Sequence, residues 1–183
     1  DITLTANAWI EWIFSKEYLI SVTSGQQIGA PATEFSLWQL ANTWANITTT
    51  SFIATADPDI AWRLNGYNGS GSVLPDTIVW GYEDTPEAVF YCDGPGTIDW
   101  TWVQQYRLQV LNPRRIGVPS PAPGNNYFDQ NDNILASVQE TVYQSSNVRY
   151  FSSGFSGTGA VPASGNTNVI TFRLYTPSTI TWS

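Results

Sequence analysis

Five carboxylates, Glu11, Glu83, Glu87, Asp99 and Glu140, are of the type that could hydrolyse a glycosidic bond. That reaction asks only for an acid and a nucleophile or base facing each other across a groove lined with aromatic rings. They sit in no motif, and a scatter of surface charges is the simpler account of them. Composition removes most other catalytic machinery. The chain has no His and a single Cys, Cys92, which excludes Ser-His-Asp and Cys-His nucleophile systems, His-ligated zinc and thiolate metal sites. There is no GxGxxG, no P-loop and no basic cradle for phosphate. The expectation is a protein that is not an enzyme and carries no cofactor.

Asp129, Asn131 and Asn133 follow the D-x-[DN]-x-[DN] spacing of a calcium loop, with Glu140 at the twelfth position, where a bidentate carboxylate belongs. Ile134 stands where such a loop needs Gly to turn, and the flanks read as a proline-rich connection and a strand instead of helices. These residues are a weak calcium candidate, and an Asn/Asp-rich turn explains them as well. Asn46-Ile-Thr48 and Asn68-Gly-Ser70 are sequons open to N-glycosylation in a secreted chain. Cys92, without a disulfide partner, reads as a small buried hydrophobe.

Nine Trp and nine Tyr offer stacking surfaces for sugar rings. Trp12, Trp62, Trp100 and Trp102, however, fall on the apolar side of alternating segments, where burial accounts for them. Trp9, Trp80 and Trp182 are less committed to a core. Charged residues make up 12% of the chain, against about 25% in an average soluble domain. Ser, Thr, Asn, Gln and Gly must therefore supply much of the surface, as suits an extracellular protein. The net charge is −8, and the six arginines and Lys16 are scattered apart from Arg114-Arg115. That argues against nucleic acid or an anionic membrane as partner. No apolar run approaches the ~18 residues of a membrane span. With no Met and a strand pattern starting at residue 1, the sequence reads as a mature chain whose export signal has been removed.

The elements that must hold these residues repeat mostly with a period of two. Tyr18 to Thr23 reads as a strand, followed by turn-rich residues 25–31. Thr33 to Asn46 is the one expected helix, because Phe35, Leu37, Trp38, Leu40, Ala41, Trp44 and Ala45 recur at three- and four-residue spacings behind a Thr33 cap. Strands are expected over 47–56, 60–64, 77–82 and 88–92, with turns at Asp57-Pro58 and across 65–72, and a break at Gly94-Pro95-Gly96. From Thr97 to Leu111, Ile98, Trp100, Trp102, Tyr106, Leu108 and Val110 share one face, interrupted at Gln104. This predicts a long strand through the core, bent or bulged at the two glutamines. Residues 112–133 hold four prolines and read as a long functional or mobile connection. Strands follow over 134–142, 147–152 and 168–175, with a weak one at 179–182.

The fold class is therefore all-β: a single antiparallel β-sandwich over 16–183 with Greek-key or jelly-roll connections, at most one short helix, and a long strand over 1–15. In that leading segment every even position is apolar, namely Ile2, Leu4, Ala6, Ala8, Ile10, Trp12 and Phe14, whereas most odd positions, Asp1, Thr3, Thr5, Asn7 and Glu11, are polar, with Trp9 and Ile13 as the exceptions. Such a strand pairs within its own sheet or within a neighbour's. Thin edge protection, with one lysine in the chain, favours the neighbour. Strand addition takes affinity from main-chain hydrogen bonds and register from alternate side chains in successive pockets.

With this alternating strand ahead of a Thr-, Ser-, Asn- and Gly-rich sandwich, the chain resembles the donor-strand pilins of the archaeal thread and bundling-pilus type, relatives of bacterial biofilm-fibre proteins. The resemblance implies a secreted cell-surface filament subunit in which Ile2, Leu4, Ala6, Ala8, Ile10, Trp12 and Phe14 insert into the next subunit and propagate a head-to-tail homopolymer. Identical subunits are then the partners, with surface glycans or neighbouring filaments as further contacts in adhesion or biofilm. Two other functions fit the sequence: a secreted carbohydrate-binding module or lectin using exposed aromatics, and a jelly-roll viral coat subunit.

Overall fold

The computed structural model describes residues 11, 13–24, 35–74, 78–80 and 85–183, with only the backbone for 78–80. The described residues are all-β, without a helix. In chain order the strands are β1 (Glu17–Ser24), β2 (Phe35–Leu40), β3 (Trp44–Thr48), β4 (Phe52–Ala54), β5 (Ile60–Gly71), β6 (Ile78–Trp80), β7 (Pro86–Tyr91), β8 (Gly96–Leu111), β9 (Gly124–Asp129), β10 (Asn133–Ser137), β11 (Thr141–Ser145), β12 (Val148–Phe151), β13 (Phe155–Thr158), β14 (Ser164–Gly165), β15 (Val169–Arg173) and β16 (Ser178–Trp182).

β8 is the spine. Its 16 residues extend roughly 50 Å at about 3.3 Å per residue. β5 and β9 both pair antiparallel with Gln105 and Tyr106, so they flank opposite edges of β8. β1 lies parallel to the first part of β8 on the β9 edge, and β16 lies parallel to the last part on the β5 edge. β2 extends the sheet from β1, β4 from β5, and β13 with β14 from β16. Two smaller sheets, β3-β7-β6 and β10-β15, supply the opposing layers, and β11-β12 is a separate hairpin. The sandwich-like layering is the one read from the alternating patterns; the two parallel neighbours of β8 are an addition to it.

The same alternate set of β8 residues serves two cores. Ile98, Trp100 and Trp102 pack with Ile20, Val22, Leu64 and Tyr67 against Ile47, Ala88 and Phe90 of the β3-β7-β6 sheet. Trp100 meets Tyr67 edge to face, with ring centroids 5.4 Å apart. Leu108 and Val110 pack with Ile134, Phe172, Leu174, Ile180 and Trp182 in the second core. Both cores are made from the alternation that defined the segment in the sequence.

Five expectations change. Thr33 to Asn46 is not a helix: its described residues form β2 and β3 around a turn at 41–43. Asn42 takes a left-handed φ of 59°, which no helix continues through, and the Thr43 hydroxyl donates to the Leu40 carbonyl at 2.7 Å. The apparent helical spacing is the sum of two short strands read across that turn. Residues 65–72 are not a turn: β5 runs on to Gly71. Asn65 is an extra residue between the pairs Leu64↔Trp102 and Gly66↔Thr101, so the inward set shifts from Leu64 to Tyr67. Gly66, at φ 156°, follows this bulge, and a Cβ on Gly69 would come within 2.6 Å of the Val73 carbonyl. The irregularity expected at Gln104 and Gln105 therefore lies in the strand beside β8. The 112–133 connection contains β9, and Trp182 is core, only 3% exposed.

Trp182→Ala should lower the free energy of unfolding by about 3–5 kcal/mol, the range for emptying a buried aromatic site, although it removes a side chain next to the last residue of the sequence. Urea unfolding followed by circular dichroism measures this.

Candidate functional site

From Phe35 to Ala56 no residue is charged, and this run supplies β2, β3 and β4. Each of these strands has a single partner strand among the described residues, so each presents an edge. Edge strands usually carry Lys, Pro or inward charges that discourage pairing with another chain. Here Phe35, Leu40 and Phe52 are exposed, and Trp38 and Trp44 are 65% and 71% exposed. The Ala41 N–H donates to the Lys16 carbonyl at 2.8 Å, which fixes the end of the leading segment beside the β2-β3 turn. Ile13 and Phe14 just before it are 86% and 88% exposed and lie outside any strand. Of the alternating set, Ile2, Leu4, Ala6, Ala8, Ile10 and Trp12 lie outside the described residues.

The outer face of β3-β7 carries a second feature. Trp44 sits directly across from Tyr91, the rings meeting at 67° with centroids 5.6 Å apart. A groove of about 470 Å³ runs along them, with Val89 and the exposed Leu74 among its walls. Among the described residues Asp93 is the single charged one lining it. The Ser72 hydroxyl donates to Asp93 Oδ1 at 2.9 Å and accepts the Gly94 N–H at 2.6 Å, which holds the carboxylate in place. Cys92 is fully buried beneath, as expected of a small hydrophobe, and burial pushes its thiol pKa up, with Asp93 adding to the shift.

The candidate carboxylates do not converge. Glu11 and Glu140 are exposed, and Glu87 and Asp99 are half-buried on different sheets. Asp99 accepts the Thr23 hydroxyl at 2.8 Å and Glu87 accepts the Asn46 amide at 3.1 Å. Glu83 lies outside the described residues. Among those described, no group of three or more His, Cys, Asp or Glu side chains is placed to hold a metal.

The calcium-like residues have structural partners. Arg63 grips Asp129 through both carboxylate oxygens, and Gln105 Nε2 donates to Asp129 Oδ1 at 2.8 Å. Asn131 turns the chain at φ 74°, its carbonyl accepting Arg173 Nε at 3.2 Å. Asn133 opens β10 opposite Arg173, and Glu140 lies at the turn before β11. Asn46 and Asn68, the two sequon residues, are exposed on β3 and β5. Trp62 is half-buried and Trp100 and Trp102 are buried, whereas Trp9, Trp12 and the Trp80 side chain lie outside the described residues.

Sequence reasoning missed the Trp44–Tyr91 pair, because Trp44 was assigned to a helix and the cross-strand register was not visible. The uncharged run from Phe35 to Ala56 was the signal within reach. No family model, curated protein or solved structure matches the chain. Among the described residues no helix is long and apolar enough to cross a membrane.

The Arg63 hydrogen bonds hold the Asp129 carboxyl below its usual range, against a smaller opposing effect of burial and with help from Gln105. A depressed folded-state value means that this contribution to stability is fully present above about pH 4. It is lost as pH falls through the lowered value. Asp129→Ala should cost about 1–3 kcal/mol, because Gln105, 7% exposed, loses its acceptor. The variant should also flatten the acid limb of a stability-against-pH curve measured by urea unfolding. Cys92 should resist Ellman's reagent in the native protein and react on unfolding.

Proposed function

We propose that this chain is a structural subunit of an extracellular filament, polymerising head to tail as the alternating 1–14 segment of one copy adds to the β2 edge of the next. The observation that carries the reading is the uncharged run that makes up β2, β3 and β4. Strands that are apolar, chargeless and, among the described residues, paired on one side only are open to pairing with other chains, and a subunit that assembles by strand addition has a use for such an edge. The Lys16 carbonyl, held by the Ala41 N–H at the β2-β3 turn, puts the end of the leading segment beside the β2 edge.

Assembly of this kind is driven by main-chain hydrogen bonds along β2, with Ile2, Leu4, Ile10, Trp12 and Phe14 adding apolar contact. Burial of one large apolar side chain contributes about 1.5–3 kcal/mol, before ordering costs are subtracted. The low charge fraction and the polar uncharged surface suit a protein that works outside the cell in contact with copies of itself. The proposal assigns no catalytic step. The polar lining of the β3-β7 groove is too sparse to favour the lectin reading.

Size-exclusion chromatography and negative-stain microscopy should show long polymers. Deletion of residues 1–15 should leave a monomer whose stability rises on addition of a peptide of those residues. Trp38→Lys, at an exposed position of β2, should abolish polymerisation while leaving the circular dichroism spectrum unchanged. A strictly monomeric full-length chain, or one polymerising equally well with Trp38→Lys, would count against the proposal.

A further inference from the structure

We propose that the groove between the Trp44–Tyr91 pair of β3-β7 and residues Gly71, Ser72 and Leu74 at the end of β5 binds a small organic cation of the quaternary ammonium type, a role independent of filament assembly. Trp44 and Tyr91 meet edge to face at 67°, and both rings line the groove. Aromatic faces carry negative charge, and a compact cation that is poorly hydrated gains from sitting against two of them at once. A flat pyranose stacks on a single face and needs several hydrogen-bonding groups around its rim. Apart from the polar tips of its aromatic rings, this groove offers Ser72 and Asp93, and the Ser72 hydroxyl is already committed to Asp93.

Charge selects in the same direction. Among the described residues Asp93 is the one charged residue of the lining and no Lys or Arg belongs to it, and the chain carries a net charge of −8. An anion is therefore repelled and a cation attracted. The apolar walls, Val89 and Leu74, suit methyl groups better than an ammonium that keeps its water, which favours a methylated over a primary amine. At about 470 Å³ the groove falls within the roughly 300–1,000 Å³ common for small-molecule sites. The Ser72 hydroxyl, itself accepting the Gly94 N–H at 2.6 Å, lies 2.9 Å from Asp93 Oδ1 and 2.5 Å from the Gly94 carbonyl.

The test is titration of the intact chain, followed by tryptophan fluorescence and calorimetry at constant ionic strength. Choline chloride is the probe; its neutral isostere 3,3-dimethyl-1-butanol and cellohexaose are the comparisons. Choline should bind saturably at one site, and the isostere about tenfold more weakly or worse. Tyr91→Leu and Trp44→Leu should each weaken choline about tenfold, and Asp93→Asn several-fold, with unchanged circular dichroism. Equal binding of choline and the isostere would overturn the proposal in favour of a plain apolar slot. So would binding of cellohexaose in place of choline, full binding by folded variants, or no binding at all. The comparison of choline with its isostere on the parent chain decides the matter even where a variant fails to fold.

Discussion

The alternation of side chains along β8 is the constraint from which the rest of the molecule follows. A strand buries every second residue, and sixteen residues are too long for one small core to cover. The chain resolves this by placing two cores in series on one face of the strand, Ile98, Trp100 and Trp102 in the first and Leu108 and Val110 in the second. Between them the neighbours of β8 change over at Gln105 and Tyr106, where β5 ends on one edge and β9 on the other. There the opposite face carries a polar anchor. Gln105, Asp129 and Arg63 tie β8, β9 and β5 together where apolar packing is thinnest.

That arrangement explains how the peripheral strands are distributed. β2, β3 and β4 come from one stretch of chain that wraps from the large sheet to the small one and back, and all three end as outer strands around the first core. The absence of charge from Phe35 to Ala56 leaves their apolar side chains against water. Of the three, β2 is the edge beside the leading segment, because the Ala41 N–H at the β2-β3 turn holds the Lys16 carbonyl, whereas β4 lies on the opposite edge of the large sheet. The Trp44–Tyr91 corner belongs to the same region but to a face instead of an edge. Strand addition at β2 and ligand binding over β3-β7 would therefore use different surfaces.

Some of this was legible because burial follows local pattern. β8 reads almost to its ends from Ile98, Trp100, Trp102, Leu108 and Val110, since the apolar residues keep one phase on both sides of the interruption at Gln104. β1, β7 and β15 are recognisable for the same reason, and Cys92 behaves as the small hydrophobe its isolation suggests. β5 was cut short because the bulge at Asn65 resets the phase, and a local reading cannot tell a reset from a stop. β2 and β3 passed for a helix because spacings of three and four arise whenever two short strands flank a tight turn.

The sequence by itself determined the all-β class, the dominant central strand, the buried Trp100 and Trp102, and the lack of residues for His- or thiolate-based chemistry. These depend on composition and on neighbours two positions apart, which the order of residues records directly. Only the tertiary structure decided that Asp129 pairs with Arg63 and Gln105, that Trp182 closes a second core, and that Trp44 faces Tyr91 across two strands. Asp129 lies 66 positions from Arg63 and 24 from Gln105, and Trp182 packs on residues as far back as Leu108. Their meeting is set by register and sheet order, and no local pattern encodes register.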